Sequence, residues 1–162
     1  MSDSKYIGIS EHRLDHTIAV ARKCYDLAKN EYDMSEMDAR KMFLMGFLHD
    51  MGYEFSENTE EHPCVVSDIL NSLSEQDFQD TVFAIRTHGK PQRFLGTYHQ
   101  AILNEADLTV NHLGQNVSME ERCEDIRKRY GDTSHQYYNS IQMVEMLKDY
   151  KARNNAQRPT GE

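Results

Sequence analysis

The chain has 162 residues, of which 38% are hydrophobic, so it can form one compact domain with a buried core. Its formal net charge of −9 argues against general nucleic-acid binding, because a phosphate backbone needs a basic surface. No apolar run is long enough to span a bilayer, and the first ten residues lack the blocks of a signal peptide. The three cysteines are widely spaced and show no CxxC pattern, which indicates reduced thiols. We therefore predict a cytoplasmic protein without membrane association.

Signals for the starts and ends of helices follow one another along the chain, and strand patterns do not appear. Serine followed three residues later by an acidic residue occurs at 35–38, 74–77 and 118–121. This spacing predicts helix starts, because the hydroxyl caps a free N–H and the acid stabilises the positive end of the helix dipole. Pro63 suits the first turn of another helix, and glycines after periodic segments indicate helix ends. The predicted helices span residues 11–30, 35–50, 62–72, 75–88, 97–113, 118–130 and 133–152.

These elements predict an all-α helical bundle of six to seven helices in a single domain. The domain is expected to cover residues 10–152, with an N-terminal lead at 1–9 and a flexible tail at 153–162. Four large residues of the last helix either belong to the core or form the surface of a homodimer. They are Tyr137, Tyr138, Met143 and Met146.

Histidines and aspartates stand where the helices of a bundle can bring them together. His16 lies inside the first helix, on the side shared with Val20 and Leu27, and the pair His49-Asp50 ends the second helix. A buried histidine–aspartate pair needs a compensating partner. Further candidates are His62 at the start of the third helix, His88 at the end of the fourth and Asp107 within the fifth. The remaining histidines, predicted at exposed or rim positions, are His12, His99, His112 and His135.

The side-chain chemistry of these candidates suits a metal site. Imidazole and carboxylate groups bind iron, manganese, cobalt or zinc, and the absence of cysteine argues against a structural zinc site. Five or six such ligands leave coordination positions open for water and for a substrate oxygen. The side-chain chemistry therefore predicts a divalent transition metal, and the preference for two ions over one comes from the resemblance described next. Iron, manganese or cobalt are expected, and magnesium, nickel or zinc are the alternatives.

The order of the candidate ligands along the chain resembles that of the HD superfamily of metal-dependent phosphohydrolases. The segments that carry the resemblance are HTIAVA at 16–21, FLHDMG at 47–52 and ILNEADLTV at 102–110. The resemblance covers about residues 10–115 and implies a helical bundle of the HD type. His62 and His88 stand where binuclear members carry two further histidines, so the full set is similar to that of small bacterial binuclear hydrolases.

The resemblance also implies roles for the six ligands. Asp50 is expected to bridge two metals and, with His88, to act in catalysis. The expected ligands are His16, His49 and Asp107 for one metal, and His62 and His88 for the other. Tyr53 stands where the cyclic-dinucleotide branch carries a lysine and where the mononuclear nucleotidase branch carries a glutamate. The proline-containing acidic stretch of the diadenosine tetraphosphate branch is also absent after Asp107. The resemblance therefore indicates the superfamily and leaves the substrate open.

A phosphohydrolase or phosphodiesterase that uses a metal-activated water on a small phosphorylated or nucleotide-like compound is the function implied. Arg86, Lys90 and Arg93 are candidates to hold the phosphate, and the alternative is that they are solvated surface charges. Tyr53 and Phe55 either form a wall against a nucleobase or anchor their own loop.

Two other functions stay open at this point. A di-iron oxygenase of the same superfamily uses the same six ligand types, although the short spacing between His88 and Asp107 favours a hydrolase. The third possibility is a non-catalytic helical module that keeps the metal site as a structural or sensing element.

Overall fold

A computed structural model describes residues 11–56, 58–73 and 79–157 of the chain. Within these ranges the protein is all-α and has no strand, apart from an isolated antiparallel bridge between Val110 and Asn116. The helices are α1 (Glu11–Asn30), α2 (Glu36–Leu48), α3 (His62–Leu73), α4 (Gln79–Thr87), α5 (Tyr98–Leu108), α6 (Met119–Tyr130) and α7 (His135–Gln157). Short 3₁₀ turns at Met51–Glu54 and Pro91–Arg93 precede α3 and α5. None of the described helices combines the length and apolar character needed to cross a membrane. The predicted fold class is confirmed.

Two of the predicted helix starts are capped as the sequence indicates. Ser35 accepts a hydrogen bond from the backbone N–H of Asp38 at 3.1 Å. Ser118 and Glu121 form a complete capping box, in which each side chain accepts the other's backbone N–H at 3.0 and 3.1 Å. The third serine signal, at 74–77, lies outside the described residues.

The predicted continuation of the fifth helix to residue 113 is wrong, because α5 ends at Leu108. The side-chain oxygen of Asn111 accepts backbone N–H groups from Leu113 and Gln115, both at 2.9 Å. These bonds replace helical ones and fold a local turn. Gly114 completes it with φ +78, and a Cβ there would lie 2.8 Å from the carbonyl oxygen of a residue in α1. The loop after α5 is thereby packed against α1.

The last helix is longer than predicted and runs to Gln157 rather than 152, so residues 153–157 of the expected tail are helical. Met143 belongs to the core and is 1% exposed, whereas Tyr138 is 63% exposed. Tyr137 packs against the core and Met146 is half-buried. The homodimer therefore stays a prediction.

Helix α5 lies at the centre of the bundle, and nine of its eleven residues are buried. Ile102 and Leu103 pack into a core cluster with residues of α1, α2 and α4. Ala101 and Leu108 belong to a second cluster with α6 and α7. The prediction that His99 is exposed is wrong for the same reason, because this histidine lies on the central helix and is 8% exposed.

The central helix also carries a buried carboxylate that α7 neutralises. Glu105 is 5% exposed and forms an ion pair with Lys151. Burial raises the pKa of Glu105, and the hydrogen bond and charge of Lys151 lower it again in part. Lys148, one turn earlier on α7, pairs instead with the exposed Glu120. The two lysines form a matched pair of positions.

We expect Lys151→Met to lower the free energy of unfolding by about 2 kcal/mol, because it removes the partner of the buried Glu105 carboxylate. The loss is moderated because the position of Lys151 is partly exposed to solvent. The loss should shrink as the pH falls, because protonation neutralises Glu105. Lys148→Met should change little, since its partner is solvated. Urea denaturation at neutral and acidic pH measures both effects. Equal losses for the two variants would contradict the role of Glu105 burial.

Candidate metal centre

Helix ends and inner faces converge on one cluster of four histidines and two aspartates. The cluster is formed by His16 of α1, His49 and Asp50 after α2, His62 at the start of α3, His88 after α4 and Asp107 of α5. The histidines are between 0% and 6% exposed. The structure thus brings together all six of the residues that the sequence singles out as ligands.

Each histidine of the cluster uses Nδ1 to bond a backbone carbonyl. The acceptors are Asn111 for His16 at 2.9 Å, Gly46 for His49 at 2.6 Å, Thr59 for His62 at 2.8 Å and Ile85 for His88 at 2.6 Å. A carbonyl can only accept, so Nδ1 carries the proton and Nε2 points to the centre. Gly46 and Ile85 belong to the last turns of their helices, where carbonyls lack helical partners. In each case the histidine three residues later donates its Nδ1–H to the carbonyl, and this hydrogen bond fixes the orientation of the imidazole ring.

The Asp50 carboxylate lies between two pairs of imidazoles. Its Oδ2 is 3.3 Å from Nε2 of His49 and 3.8 Å from Nε2 of His16. Its Oδ1 is 3.1 Å from Nε2 of His62 and 3.7 Å from Nε2 of His88. One oxygen therefore faces each histidine pair.

Asp107 completes one side of the cluster, with Oδ1 at 2.9 Å from Nε2 of His16 and 3.3 Å from Nε2 of His49. Two ligand atoms that each lie about 2.1 Å from one metal ion, at roughly 90–110°, are about 3.0–3.4 Å apart. The measured separations match this spacing. Because every Nδ1 is already a donor, an Nε2 that faces a carboxylate needs either a second proton or a cation between them. The residues present therefore fit a metal ion.

Two overlapping groups of described residues could each hold a cation, with all ligand atoms of a group within 4.8 Å of one another. The first group consists of His16, His49 and Asp107. The second consists of His49, Asp50 and His88. Nε2 of His62 lies 3.3 Å from Nε2 of His88, beside the second group.

The electrostatics keep the carboxylates ionised. Burial raises the pKa of Asp50, but the charge of His49 and the surrounding imidazole hydrogen bonds outweigh burial and hold it well below its usual value. Burial likewise raises the pKa of Asp107, and hydrogen bonds from two histidines bring it well below normal. Burial lowers the pKa of His49, yet the charge of Asp50 and the hydrogen bond to Asp107 lift it well above normal. For His62, burial outweighs the hydrogen bond to Asp50, so the pKa of this imidazole is lowered.

The ring of Tyr53 is not a free wall for a nucleobase. It stacks on His62 with ring centroids 3.9 Å apart and planes inclined by 17°. The guanidinium of Arg13 lies 3.7 Å from the centroid of the same ring. Two groups this close to one ring must cover opposite faces, which favours the alternative that Tyr53 anchors its own loop, here against a ligand histidine. Tyr53 nevertheless belongs to the cavity lining. Phe55 is 63% exposed and outside the cavity lining.

A cavity of about 350 Å³ opens beside the cluster. Of the three cations predicted to hold phosphate, Lys90 lines it. Arg86 is exposed and bonds Asp68 at 3.1 Å, and Arg93 is exposed outside the lining, so the structure does not bring these two to the site. For Arg86 the reason is its position around helix α4. Its side chain lies on a different face of the helix from His88, which directly follows the last helical residue.

Other cations that the sequence reasoning missed line the cavity instead. They are Arg13, Arg122 and Arg129. The lining also contains the imidazoles of His112 and His135, which are exposed as predicted. The side chain of His12 lies outside what the structure describes. The arginines of α6 recur at helical spacing, but a polar helix has the same pattern on a solvated face, so the sequence alone did not distinguish them.

A family model of the HD domain matches residues 13–130, nearly three quarters of the chain. This chain belongs to the HD-domain family. The matched range includes all six residues of the centre as well as α6. HD-domain proteins form a superfamily of metal-dependent hydrolases, so the predicted superfamily is confirmed and metal binding is what the family and the cluster both indicate. Comparisons with curated proteins and with solved structures gave no match.

We expect Tyr53→Ala to weaken metal binding by this HD domain about 10-fold, because it removes the ring that orients His62. Tyr53→Phe keeps the ring and should bind metal as the parent does. Isothermal titration of the metal-free protein with Mn²⁺ measures both affinities. Equal weakening in the two variants would show that the hydroxyl, and not the stacked ring, matters.

Metal affinity should fall with falling pH, because a cation must displace the proton that the raised pKa of His49 retains. For each proton displaced, the apparent dissociation constant should rise about 10-fold per pH unit below that pKa. Titrations in buffers of different ionisation enthalpy count the protons released. A pH-independent affinity without proton release would exclude His49 as a ligand.

Proposed function

We propose that this HD-domain protein is a metal-dependent phosphohydrolase that acts on a small phosphorylated compound with two bound divalent transition metals. The observation that supports it best is the Asp50 carboxylate, which turns one oxygen to each of two histidine pairs. A carboxylate in that position is suited to bridge two ions about 3.5–4 Å apart, as two-metal hydrolytic sites require.

The six residues divide between the two ions by proximity. His16, His49, Asp107 and Asp50 Oδ2 would hold one ion, and His62, His88 and Asp50 Oδ1 would hold the other. Neither set fills six coordination positions, so each leaves room for water or a phosphoryl oxygen. Five of the six residues line the cavity, which gives a substrate access to both sets.

Divalent metals held by these six residues would supply Lewis-acid chemistry, which would activate a water and neutralise phosphoryl charge. The chain's own contribution is preorganisation. The Nδ1 bonds fix every imidazole, and Asp50 and Asp107 stay ionised, so no ligand has to reorient during the reaction. Asn104 accepts the N–H of Gly89 at 2.8 Å, which fixes the loop that carries His88 and Lys90. We assign Lys90 to bind the phosphoryl group.

The size of the cavity favours a small substrate. Its volume of about 350 Å³ lies at the lower end of the range of small-molecule sites, roughly 300–1,000 Å³. A nucleotide-like compound stays among the candidates, but with Tyr53 covered on both faces, Tyr130 is the remaining tyrosine of the described lining. The proposal therefore specifies a small phosphate ester and does not require a nucleobase.

The decisive experiment counts metals per chain in protein purified without chelator, by elemental mass spectrometry. We expect two ions in the parent, one in His62→Ala and two in the control His135→Gln, whose exposed imidazole is outside the cluster. Hydrolysis of p-nitrophenyl phosphate and its bis-ester should require Mn²⁺, Fe²⁺ or Co²⁺. Asp50→Asn should reduce turnover about 100-fold or more.

Two results would overturn the proposal. The first is a protein that binds no metal even when manganese, iron and cobalt are supplied, which would favour a non-catalytic module. The second is a protein with two irons that consumes oxygen and hydrolyses no phosphate ester, which would favour an oxygenase.

A further inference from the structure

Helix α6 turns one basic face toward the cavity. Arg122, Ile126 and Arg129 are spaced by four and three residues, so they share a face, and all three line the cavity. Arg127, on the same helix, is outside the lining and is engaged by Glu124 and Asp132. Arg127 is thus paired with acidic side chains away from the cavity, whereas Arg122 and Arg129 line the cavity.

Arg122 carries a buried hydrogen-bond donor without an acceptor, whereas Arg127 of the same helix is paired with two carboxylates. The Nε of Arg122 is buried and makes no hydrogen bond, one of only three such side-chain atoms in the described residues. The other two belong to Thr17 and Glu54, which do not line the cavity. No ion pair within the described ranges involves Arg122 or Arg129. A buried N–H without an acceptor is costly, and an anion in the cavity would relieve that cost.

The acidic side chains of the lining do not neutralise these arginines. Asp50 and Asp107 face the histidines, and Glu60 lies 3.5 Å from His135. No other acidic residue lines the cavity in the described part of the chain. A chain of net charge −9 therefore keeps two arginines without an ion pair in the lining of this cavity, Arg122 partly buried and Arg129 exposed, which indicates an anionic ligand.

We propose that Arg122, with Arg129, forms a second anion subsite, so that the substrate carries a further phosphate or carboxylate besides the phosphoryl group at the metals. This inference rests on the proposed function and specifies its substrate class. Guanidinium groups bind both anions through paired N–H donors, which gives the subsite geometric selectivity. Lys90, next to His88, serves the scissile group, and the α6 face serves the second one.

The test uses non-hydrolysable probes and the metal-loaded full chain. Linear alkane bisphosphonates of increasing length are compared by titration with n-alkyl phosphonates of the same length, and with ω-carboxyalkyl phosphonates. At the best length, the bisphosphonate or the carboxyalkyl phosphonate should bind about 10-fold or more tightly than the alkyl phosphonate. Whichever of the two binds more tightly identifies the second group as phosphate or carboxylate.

The ratio of the affinity for the tighter two-anion probe to the affinity for the alkyl phosphonate should fall to near one in Arg122→Gln. Arg122→Lys should restore this ratio in part, since lysine keeps the charge and loses the paired donors. Arg127→Gln is the matched control: it removes the same charge from the same helix and should keep the ratio. Thermal unfolding of each variant verifies folding. A parent ratio near one, or equal losses in Arg122→Gln and Arg127→Gln, would overturn the inference. If no phosphonate binds the metal-loaded protein, the proposed function fails as well, which distinguishes the two failures.

Discussion

The structure depends on one constraint, which is that two partly buried carboxylates and four buried imidazoles face one another with every Nδ1 already bonded to a carbonyl. Ionised Asp50 and Asp107 cannot be buried without positive charge close by. Shared protons or metal ions are the two ways to supply it. The same geometry thus explains why these side chains tolerate burial and why the cluster suits cations.

The fold orients the histidines of this cluster with backbone carbonyls near helix ends and in a loop. Carbonyls at the ends of α2 and α4 bond His49 and His88, and the loop after α5 offers the carbonyl of Asn111 to His16. Close packing keeps these elements in place. A Cβ at Gly46 would lie 2.8 Å from the Cα of Ala21, so α1 and α2 approach as closely as backbones allow. The centre and the bundle are consequently one cooperative unit.

The sequence predicted the fold class from local signals, and it indicated the six members of the cluster through their positions at helix ends and on inner faces together with the resemblance to the HD superfamily. Helix caps, periodicity and the spacing of the His-Asp pair are visible without the tertiary structure. The end of α5 was missed because the side chain of Asn111 competes with helical hydrogen bonds, which a periodic pattern does not record. For Arg86 the sequence left phosphate binding and a solvated position open, and it did not single out Arg122, since the difference between a solvated and an inward face depends on how α4 and α6 pack.

Acidic and basic side chains occupy different parts of this protein. The surface carries the excess of acid, whereas the cavity combines a cluster suited to metal cations with the unneutralised arginines of α6. Interactions inside a cavity are screened less than those on the surface, so a few local cations outweigh many distant carboxylates. In the proposed metal-loaded state, a small anion that enters the cavity would meet the metals on one side and the arginines of α6 on the other.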